Sequence, residues 1–466
     1  MARPAVFLDR DGTLIEDRGH IGDPSQVAFY PGTFEALRRL GGQFVLFIVT
    51  NQNGIAKGIT TPEGVRRVNE HVVRRLAEEG VEIREVYCCP HERSDGCECI
   101  KPNPYFPRQA ERVHGVDLAR SFMVGDHPPD VELAANVGAR GIFLLSGHGA
   151  KHRDELRVPC EIVAGISEAA DRIGVSRAAE TLRSCGLVAF PTETVYGLGA
   201  DAGNEEAVRR IFKVKGRPTT HPLIVHVYDP WPWAEEPSAD AVRLAERFWP
   251  GPLTLILNRS RRASDAVTGG QETVGLRVPS HPLALSMLRA FGGGVAAPSA
   301  NRFGKVSPTT AAHVRADLGG DVDFILDGGP CDVGVESTIA DLSGAEPAIL
   351  RPGGVTREAI EEALGRKVGV REKSRVRAPG QLESHYAPRA EVVIVRVGEE
   401  EARAAELRKR GLKVEVLARP EAATLYASLR EADARGADAI VVVAPPEEGL
   451  GLAVADRLRK ASGPRK

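Results

Sequence analysis

An α/β architecture in three units is what this sequence predicts, and three observations carry the prediction. Short apolar runs recur along the 466 residues, and each closes on a polar or Gly/Pro-rich tip, as buried strands do where they feed loops. Stretches of helical spacing fill the intervals. That spacing restarts near Gly174 to Ser176, ahead of a second set of polar tips, so separate cores follow one another. The length suits about three domains, each able to bury its own core.

The first run, Ala5 to Leu8, closes on Asp9-Arg10-Asp11-Gly12-Thr13. Two carboxylates so placed at a strand end can share a divalent cation while one attacks phosphorus and the other moves a proton. The run Phe44 to Val49 ends at Thr50-Asn51-Gln52, Lys101-Pro102 follows, and SFMVGDHPPD sets Asp126 and Asp130 after another apolar run. Between them lies YCCPHERSDGCECIKP, whose knuckles supply three thiolates and an imidazole: Cys88 or Cys89 with His91, then Cys97 and Cys99. That set suits a closed tetrahedral Zn²⁺ site, and a closed site is structural, here a staple on the loop before Lys101.

Cys160 to Val175 reads as the last strand and helix of the first unit. The second opens with an apolar run, Leu187 to Phe190, then Pro191, a hydroxyl-rich turn (Thr192, Thr194, Tyr196), a bend at Gly197 and Gly199, and a helix ending in Lys213, Lys215 and Arg217. A polar turn at the carboxyl end of a buried strand is where open α/β sheets bind ligands, and cations spaced two apart can grip a polyanion. Further tips follow in TVGLRVP, APSAN, VSPT, ESTI, ILRPG and SHYAP. After Gly365 the chain turns basic and loop-like, and its last segment alternates EVVIVRV, VEVLA and AIVVVAPP with helical stretches, the outline of a small three-layer α/β domain.

Asp pair, Thr, Lys, Asp pair, each after a hydrophobic strand, is the order by which residues 5 to 174 resemble haloacid-dehalogenase (HAD) phosphatases. The resemblance implies a Rossmann-like domain with Asp9 as nucleophile, Asp11 as general acid/base, and Thr50, Asn51 and Lys101 on the phosphoryl group. It also implies Mg²⁺ on Asp9, the Asp11 carbonyl and Asp126, with Asp130 in support. The Cys-Pro-His…Cys-x-Cys pattern is similar to the heptose-bisphosphate and histidinol-phosphate branch, which selects Cys89, His91, Cys97 and Cys99 for Zn²⁺. That branch continues with an arginine where this chain has Ile100, so a phosphorylated small molecule is expected as substrate without a commitment to heptose bisphosphate.

The later motifs, with PTETVYGLGA and KGRPTTHPLIVHV, resemble in their order the Sua5/YrdC family of threonylcarbamoyl-AMP synthases over residues 177 to 466. The resemblance implies a central YrdC-like twisted α/β domain, a small C-terminal Sua5-type α/β domain, and a reaction joining L-threonine, bicarbonate and ATP. Lys215 and Arg217 would address phosphates and the carboxylated intermediate. His221, Thr273, Ser299, Asn301, Ser307 and Arg351 would hold ATP, with His385 or Tyr386 of the linker as a cap. Thr192, Thr194, Tyr196, His226, Arg277 and Ser337 would form the threonine site. The expected segments are 1–175, 176–368, a linker over 369–390, and 391–466. Mg²⁺ would arrive on the nucleotide, and a downstream tRNA-modifying threonylcarbamoyl transferase would take the product.

Net charge is -2 with 27% charged and 5% aromatic residues, which excludes a global nucleic-acid field. An RNA-binding module on a phosphatase is the rival reading; by charge, contact with tRNA is expected to be local and weak. Seven cysteines, four of them within Cys88 to Cys99, point to metal in a reducing compartment rather than to a disulfide framework. The amino terminus enters a strand-like run without a signal-peptide core, and no apolar run is long enough to span a bilayer, so a cytoplasmic protein without membrane contact is expected.

Overall fold

The computed structural model describes residues 2–371, 374–380 and 385–463. Residues 372–373 and 381–384 of the expected linker, including Ser384 of SHYAP, lie outside the described residues. The chain divides into two compact units, Met1–Gly174 and Val175–Lys466. The expected restart of helical spacing does not break the chain's helix: one helix, Ile166–Arg183, runs through it. A lone glycine inside a helix costs about 1 kcal/mol rather than ending it.

In the first unit six strands form one parallel sheet: β1 (Ala5–Leu8), β2 (Val45–Asn51), β3 (Ile83–Cys89), β4 (Phe122–Gly125), β5 (Arg140–Leu144) and β6 (Glu161–Val163). Their order is β3-β2-β1-β4-β5-β6, that of a doubly wound Rossmann-like sheet. The order reverses between β1 and β4, so a crevice opens beyond their carboxyl ends, where Asp9 and Asp126 follow. Both strands are buried along their whole length, as strands covered on both faces must be. Phe7, Phe47, Tyr87 and Phe106 stack in series with ring centroids 5.1, 5.7 and 5.1 Å apart, fixing β1 to β3 and the helix Tyr105–His114.

The second unit holds a ten-stranded mixed sheet of β7 (Val188–Phe190), β8 (Gly197–Asp201), β9 (Ile224–His226), β10 (Leu253–Asn258), β11 (Thr273–Arg277), β12 (Val295–Ala296), β13 (Phe324–Ile325), β14 (Thr338–Asp341), β15 (Ala348–Arg351) and β16 (Gly369–Val370). Its order is β13-β7-β8-β12-β9-β11-β10-β14-β15-β16. β16 pairs with β15, so the sheet takes in the first residues of the stretch expected to be linker.

Beyond it, β17 (Glu391–Val395), β18 (Val414–Leu417) and β19 (Ala439–Val443) form a parallel three-stranded sheet in the order β17-β19-β18. Alternate residues of β19 serve opposite faces, as the two-residue period of a strand requires. Ala439 and Val441 pack with Ala404 and Leu407, whereas Ile440 and Val442 join Leu425, Tyr426, Leu429, Val454 and Leu458. The second cluster also takes in Val195, Val306, Val335 and Tyr386, so one face of the small domain is built onto the larger sheet beside its polar tips. No helix among the described residues is long and apolar enough to cross a membrane.

Candidate active sites

At the carboxyl ends of β1 and β4 the carboxylates of Asp9, Asp126 and Asp130 come together with the His127 imidazole, their ligand atoms within 4.8 Å of one another. Lys101 Nζ lies 2.9 Å from Asp9 Oδ1 and 2.6 Å from Asp130 Oδ1, and donates to the Val49 carbonyl at 3.0 Å. Burial pushes the Asp9 carboxyl up to about 7; Lys101 opposes the rise, and Asp130 and Asp126 add to it. Burial also works against the charge on Lys101, but Asp130 and Asp9 outweigh it and raise its pKa. Asp126 is fully buried, and its Oδ1 accepts no aligned hydrogen bond, although His127 Nδ1 is 3.2 Å away. Pairing with Asp126 raises His127 to about 9 against the effect of burial. Gly12 makes this approach possible: its φ is +75°, and a Cβ there would stand 2.1 Å from Asp126 Oδ2.

Asp11 is held from the side. Arg10, itself fully buried, contacts Asp11 Oδ2 at 2.8 Å and donates to Asn69 Oδ1 at 2.7 Å. Gln52 Nε2 bridges Asp11 Oδ2 and Thr50 Oγ1, each at 2.8 Å. Asn51 Oδ1 accepts from the Lys101 N–H at 3.2 Å. Asp9, Asp11, Thr50, Asn51, Lys101 and Asp130 all line one cavity of about 1590 Å³, part of it open to solvent.

Cys89, His91, Cys97 and Cys99 also converge. Cys89 Sγ lies 3.6 Å from Cys97 Sγ and 3.2 Å from Cys99 Sγ, with Cys97 and Cys99 3.7 Å apart. His91 Nδ1 is 3.7 Å from Cys89 Sγ and 3.4 Å from Cys99 Sγ. Metal–sulfur bonds of about 2.3 Å give tetrahedral edges close to these lengths. Cys88 is not in this group; it sits near Arg10 and Asp11, and burial raises its thiol pKa.

In the second unit Thr192, Thr194, Arg217, His226, Arg277, Ser299, Ser337, Arg351, His385 and Tyr386 line one cavity of about 550 Å³, part of it open to solvent. Its electrostatics favour an anion. Burial lowers Arg217 to about 10, with Arg351 adding to the effect, and burial lowers Arg351 as well. Arg217 Nε and Arg277 Nε are buried without a hydrogen-bond partner. Arg277 Nη2 stands 2.8 Å from Glu193 Oε1 without the alignment of a hydrogen bond. Burial, helped by Arg277, takes His226 down to about 3, and its Nδ1 is unpartnered.

Other residues expected at this site stand behind the wall. Lys215 Nζ donates to the carbonyls of Ser299 (2.6 Å) and Asn301, and burial together with Arg217 lowers its pKa strongly. Asn301 Nδ2 donates to the Arg302 and Lys305 carbonyls, both at 2.8 Å, and its buried Oδ1 is left over. His221 packs edge-on to Phe303 with centroids 5.7 Å apart. Tyr196 does not line the cavity, because its hydroxyl is spent on the Gly329 carbonyl (2.7 Å) and the Gly328 N–H (3.1 Å). Thr273 begins β11 whereas Arg277 ends it, which separates them by about 13 Å of strand.

Ser307 reaches the site through Glu336, a residue the sequence left unassigned. Glu336 Oε1 accepts from Ser307 Oγ at 2.6 Å, and its Oε2 accepts from Tyr426 Oη at 2.8 Å and Arg457 Nε at 2.7 Å. Burial would raise this carboxyl, but Arg457 and Arg351 outweigh it and hold the pKa at about 2. The Arg457 guanidinium also lies over the Tyr386 ring, 5.1 Å from its centroid. Next in the chain, Ser337 accepts from Arg351: Nε and Nη2 reach its carbonyl at 3.1 and 2.9 Å, and Nη2 its Oγ at 3.1 Å. Glu336 lies in the ESTI tip, so a charged residue beside an assigned serine was the available signal; Arg457 and Tyr426 gave none, being single residues on helices. Arg10 and Gln52 stood beside assigned residues in the same way.

An acid-rich crevice at the switch point of a Rossmann-like sheet and a second, cation-lined cavity define a chain with two enzymatic centres, a phosphatase and a nucleotidyltransferase-type synthase. Comparison with known proteins agrees. The Sua5/YciO/YrdC family model, described as telomere recombination, matches residues 180–353; the threonylcarbamoyl-AMP synthase C-terminal domain matches 355–463; and a HAD-hydrolase-like model matches 98–169. The threonylcarbamoyl-AMP synthase of Pyrococcus abyssi is 41% identical over 334 residues, covering 65% of this chain and 98% of that protein. The crystal structure of P. abyssi Sua5 complexed with L-threonine aligns with a TM-score of 0.60 and 42% identity over 63% of this chain and 94% of that one. The Yersinia pestis D-glycero-beta-D-manno-heptose-1,7-bisphosphate 7-phosphatase is 41% identical over 147 residues, covering 29% of this chain and 78% of that protein. The chain belongs to the Sua5/YrdC family of threonylcarbamoyl-AMP synthases, fused at its amino-terminal side to a HAD-type phosphatase.

The buried groups set the acid stability of the second unit. His226 and His385 both fall to about 3 through burial. An unfolded chain therefore binds more protons than the folded one below about pH 6.5, and stability is full above that pH and lost progressively as it falls toward 3. All three tryptophans, Trp231, Trp233 and Trp249, lie in this unit, so their fluorescence reports it. Urea midpoints followed this way are expected to drop between pH 7 and pH 5. Glu336→Ala takes from Arg457 Nε its acceptor and leaves Asp456, 2.6 Å from Nη1, as its remaining ion pair; the change is expected to cost about 1–3 kcal/mol at pH 7 in the same assay.

Proposed function

We propose that residues 176–466 convert L-threonine, bicarbonate and ATP to threonylcarbamoyl-adenylate, pyrophosphate and water. In this reading a tRNA-modifying threonylcarbamoyl transferase consumes the adenylate to make threonylcarbamoyladenosine. The observation that carries the proposal is the convergence of Arg217, Ser299 and Arg351 with Thr194, His226, Arg277 and Ser337 on one cavity. The threonine complex of the P. abyssi relative supports an amino-acid subsite among the last four.

Arg277 has the fork to bind the amino-acid carboxylate with two hydrogen bonds. His226, held neutral, keeps Nδ1 free for a polar group of the ligand. The threonine amine attacks bicarbonate carbon and water leaves; the carbamate oxygen then attacks the α-phosphorus and pyrophosphate departs. Arg217 and Arg351 offset the charge that builds on the phosphates, and Lys215, behind Ser299, acts on them through the wall and regains its ammonium form as negative charge enters the cavity. Mg²⁺ comes with the nucleotide, and His385 and Tyr386 cap it. The buried side chains of Arg217, Arg277 and Arg351 in the wall limit the access of water to the labile carbamate.

For residues 1–175 we propose a Mg²⁺-dependent phosphatase of a phosphorylated small molecule. Asp9 attacks phosphorus, Asp11 protonates the leaving oxygen, and water assisted by Asp11 then releases phosphate from the aspartyl-phosphate. Asp9, the Asp11 carbonyl, Asp126 and Asp130 would hold the ion, and the unbonded Asp126 Oδ1 fits that role. Mg²⁺ when bound offsets repulsion between the carboxylates and the phosphate dianion. Thr50, Asn51 and Lys101 hold the phosphoryl oxygens. Cys89, His91, Cys97 and Cys99 fit a structural Zn²⁺ by their spacings. The Yersinia relative is named for a heptose bisphosphate; with Ile100 in place of that branch's arginine, the proposal commits only to a phosphorylated small molecule. A cytoplasmic setting and the segments 1–175, 176–368, 369–390 and 391–466 belong to the same proposal.

Lys215→Ala is expected to abolish pyrophosphate release that requires both threonine and bicarbonate, while phosphate release by the first unit continues. ATP turnover that is equally fast without threonine would reject the synthase assignment. Asp9→Asn is expected to eliminate Mg²⁺-dependent phosphate release across a panel of sugar bisphosphates, histidinol phosphate and nucleotides. Phosphate release persisting in that variant would remove Asp9 from the nucleophile's role.

A further inference from the structure

Three buried guanidinium groups, those of Arg217, Arg277 and Arg351, line the synthase cavity, and their charges are not compensated alike. Arg217 Nη2 donates to the Pro222 carbonyl at 2.9 Å. Arg351 donates to the carbonyl and hydroxyl of Ser337 and, at 3.3 Å, to the Pro379 carbonyl. All of these partners are neutral. Arg351 also feels Glu336, but that carboxylate is already paired with Arg457 Nε at 2.7 Å. Among the described residues, Arg277 alone of the three has a carboxylate in ion-pair contact, Glu193 Oε1 standing 2.8 Å from its Nη2.

Glu193 sits between Thr192 and Thr194, which line the cavity, yet it does not line the cavity itself. It is buried and held in place from two sides. The Ser280 N–H, just past Arg277 in the chain, donates to its Oε2 at 3.1 Å, and the Val333 N–H donates to its backbone carbonyl at 2.8 Å. The contact with Arg277 is not an aligned hydrogen bond: Glu193 Oε1 and Arg277 Nε and Nη2 are all buried without a hydrogen-bond partner. Glu193 therefore cancels the charge of the Arg277 fork without using up its donors. His226, lowered to about 3, adds no charge at this corner.

We infer that Glu193 is a specificity-determining residue of the synthase cavity: by neutralising Arg277 alone, it reserves that corner for a zwitterionic amino acid and leaves phosphate groups to Arg217 and Arg351. This role rests on the synthase reading, which it deepens. Nearly every ligand of that reaction brings negative charge, as triphosphate, bicarbonate or carboxylate. An uncompensated fork would take any of them, because arginine matches phosphate as well as carboxylate. With Glu193 against it the fork keeps its donors but offers no net charge, which favours a ligand that has none. An α-amino acid is such a ligand, its carboxylate on the fork and its ammonium offsetting the field of Glu193. A phosphate dianion at the same place meets that field with nothing to offset it. Discrimination of this kind comes from a repulsive element as much as from an attractive one.

The test is competition by inorganic phosphate in the full chain, read by threonine- and bicarbonate-dependent pyrophosphate release. In the parent, phosphate is expected to raise KM for ATP and to leave KM for threonine where it was. In Glu193→Gln, which keeps the volume and loses the charge, phosphate is expected to raise KM for threonine at least about tenfold, the order of effect for one nearby unit charge at a protein dielectric of about 20. Within that variant, kcat at saturating threonine is expected to be the same with and without phosphate. Glu193→Asp, which restores the charge, is expected to recover most of the parent's resistance to phosphate. A purely structural Glu193 would alter the kinetics of these variants alike whether or not phosphate is present. The inference is overturned if phosphate leaves KM for threonine in Glu193→Gln unmoved. It is equally overturned, with no variant needed, if phosphate competes with threonine in the parent as strongly as with ATP. The synthase reading fails separately, by parental ATP turnover that is equally fast without threonine.

Discussion

A carboxylate taken wholly out of water must be met by donors and positive charge, and in the synthase unit Glu336 is where that requirement organises the most structure. Its two oxygens accept from Ser307, Tyr426 and Arg457, residues drawn from the VSPT tip and from the helices Ala422–Ala434 and Leu450–Ala461. Removing one partner leaves a buried charge less compensated. Ser337 follows directly in the chain and is gripped by Arg351, and Arg457 lies over Tyr386. The small domain, with no catalytic constellation among its described residues, thereby backs the wall of the cavity, where Glu336 and Tyr386 stand. The apolar contacts of Val195, Val306 and Val335 with Tyr426 and Leu429 supply the non-directional part of the same joint.

The phosphatase centre meets the same constraint with a different solution. Three carboxylates converge at the ends of two buried strands, and Lys101 bridges two of them. Arg10 and Gln52 hold Asp11 apart from that group, so the two aspartates of the DRDGT tip sit in unlike surroundings. Neighbouring carboxylates with unlike environments can take unlike roles, one as nucleophile and one as proton carrier. In both units the reactive groups stand on strand ends because a sheet edge of this kind fixes position while leaving one side open to ligand.

Much of this was legible in the sequence. The strand tips bearing Asp9, Thr50 and Asp126 come from runs of hydrophobic residues with polar stops, and a parallel sheet needs such runs. The tips of the second unit were readable in the same way, and Arg217, Ser299 and Arg351, far apart in the chain, face one cavity. What periodicity does not carry is pairing across distance. Glu336 meets Tyr426 and Arg457 at separations of 90 and 121 residues, and no local pattern marks either partner. Tyr196 looked like a wall residue because its neighbours are, yet its hydroxyl turns to the Gly328–Gly329 bend. The helix Ile166–Arg183 runs through Gly174 because its apolar side chains on both flanks, among them Ile173, Val175, Ala178 and Leu182, are buried.

The small C-terminal domain holds Glu336 in the wall of the synthase cavity through Tyr426 and Arg457. The most direct measurement is kcat/KM for threonine- and bicarbonate-dependent pyrophosphate release in Arg457→Ala and Arg457→Lys, with phosphate release by the first unit as the internal control. Displacement of reacting groups by about 1 Å costs on the order of a hundredfold. A loss of about that size is therefore expected for Arg457→Ala, with partial recovery in Arg457→Lys and an unchanged control. Parental kcat/KM in Arg457→Ala would contradict it.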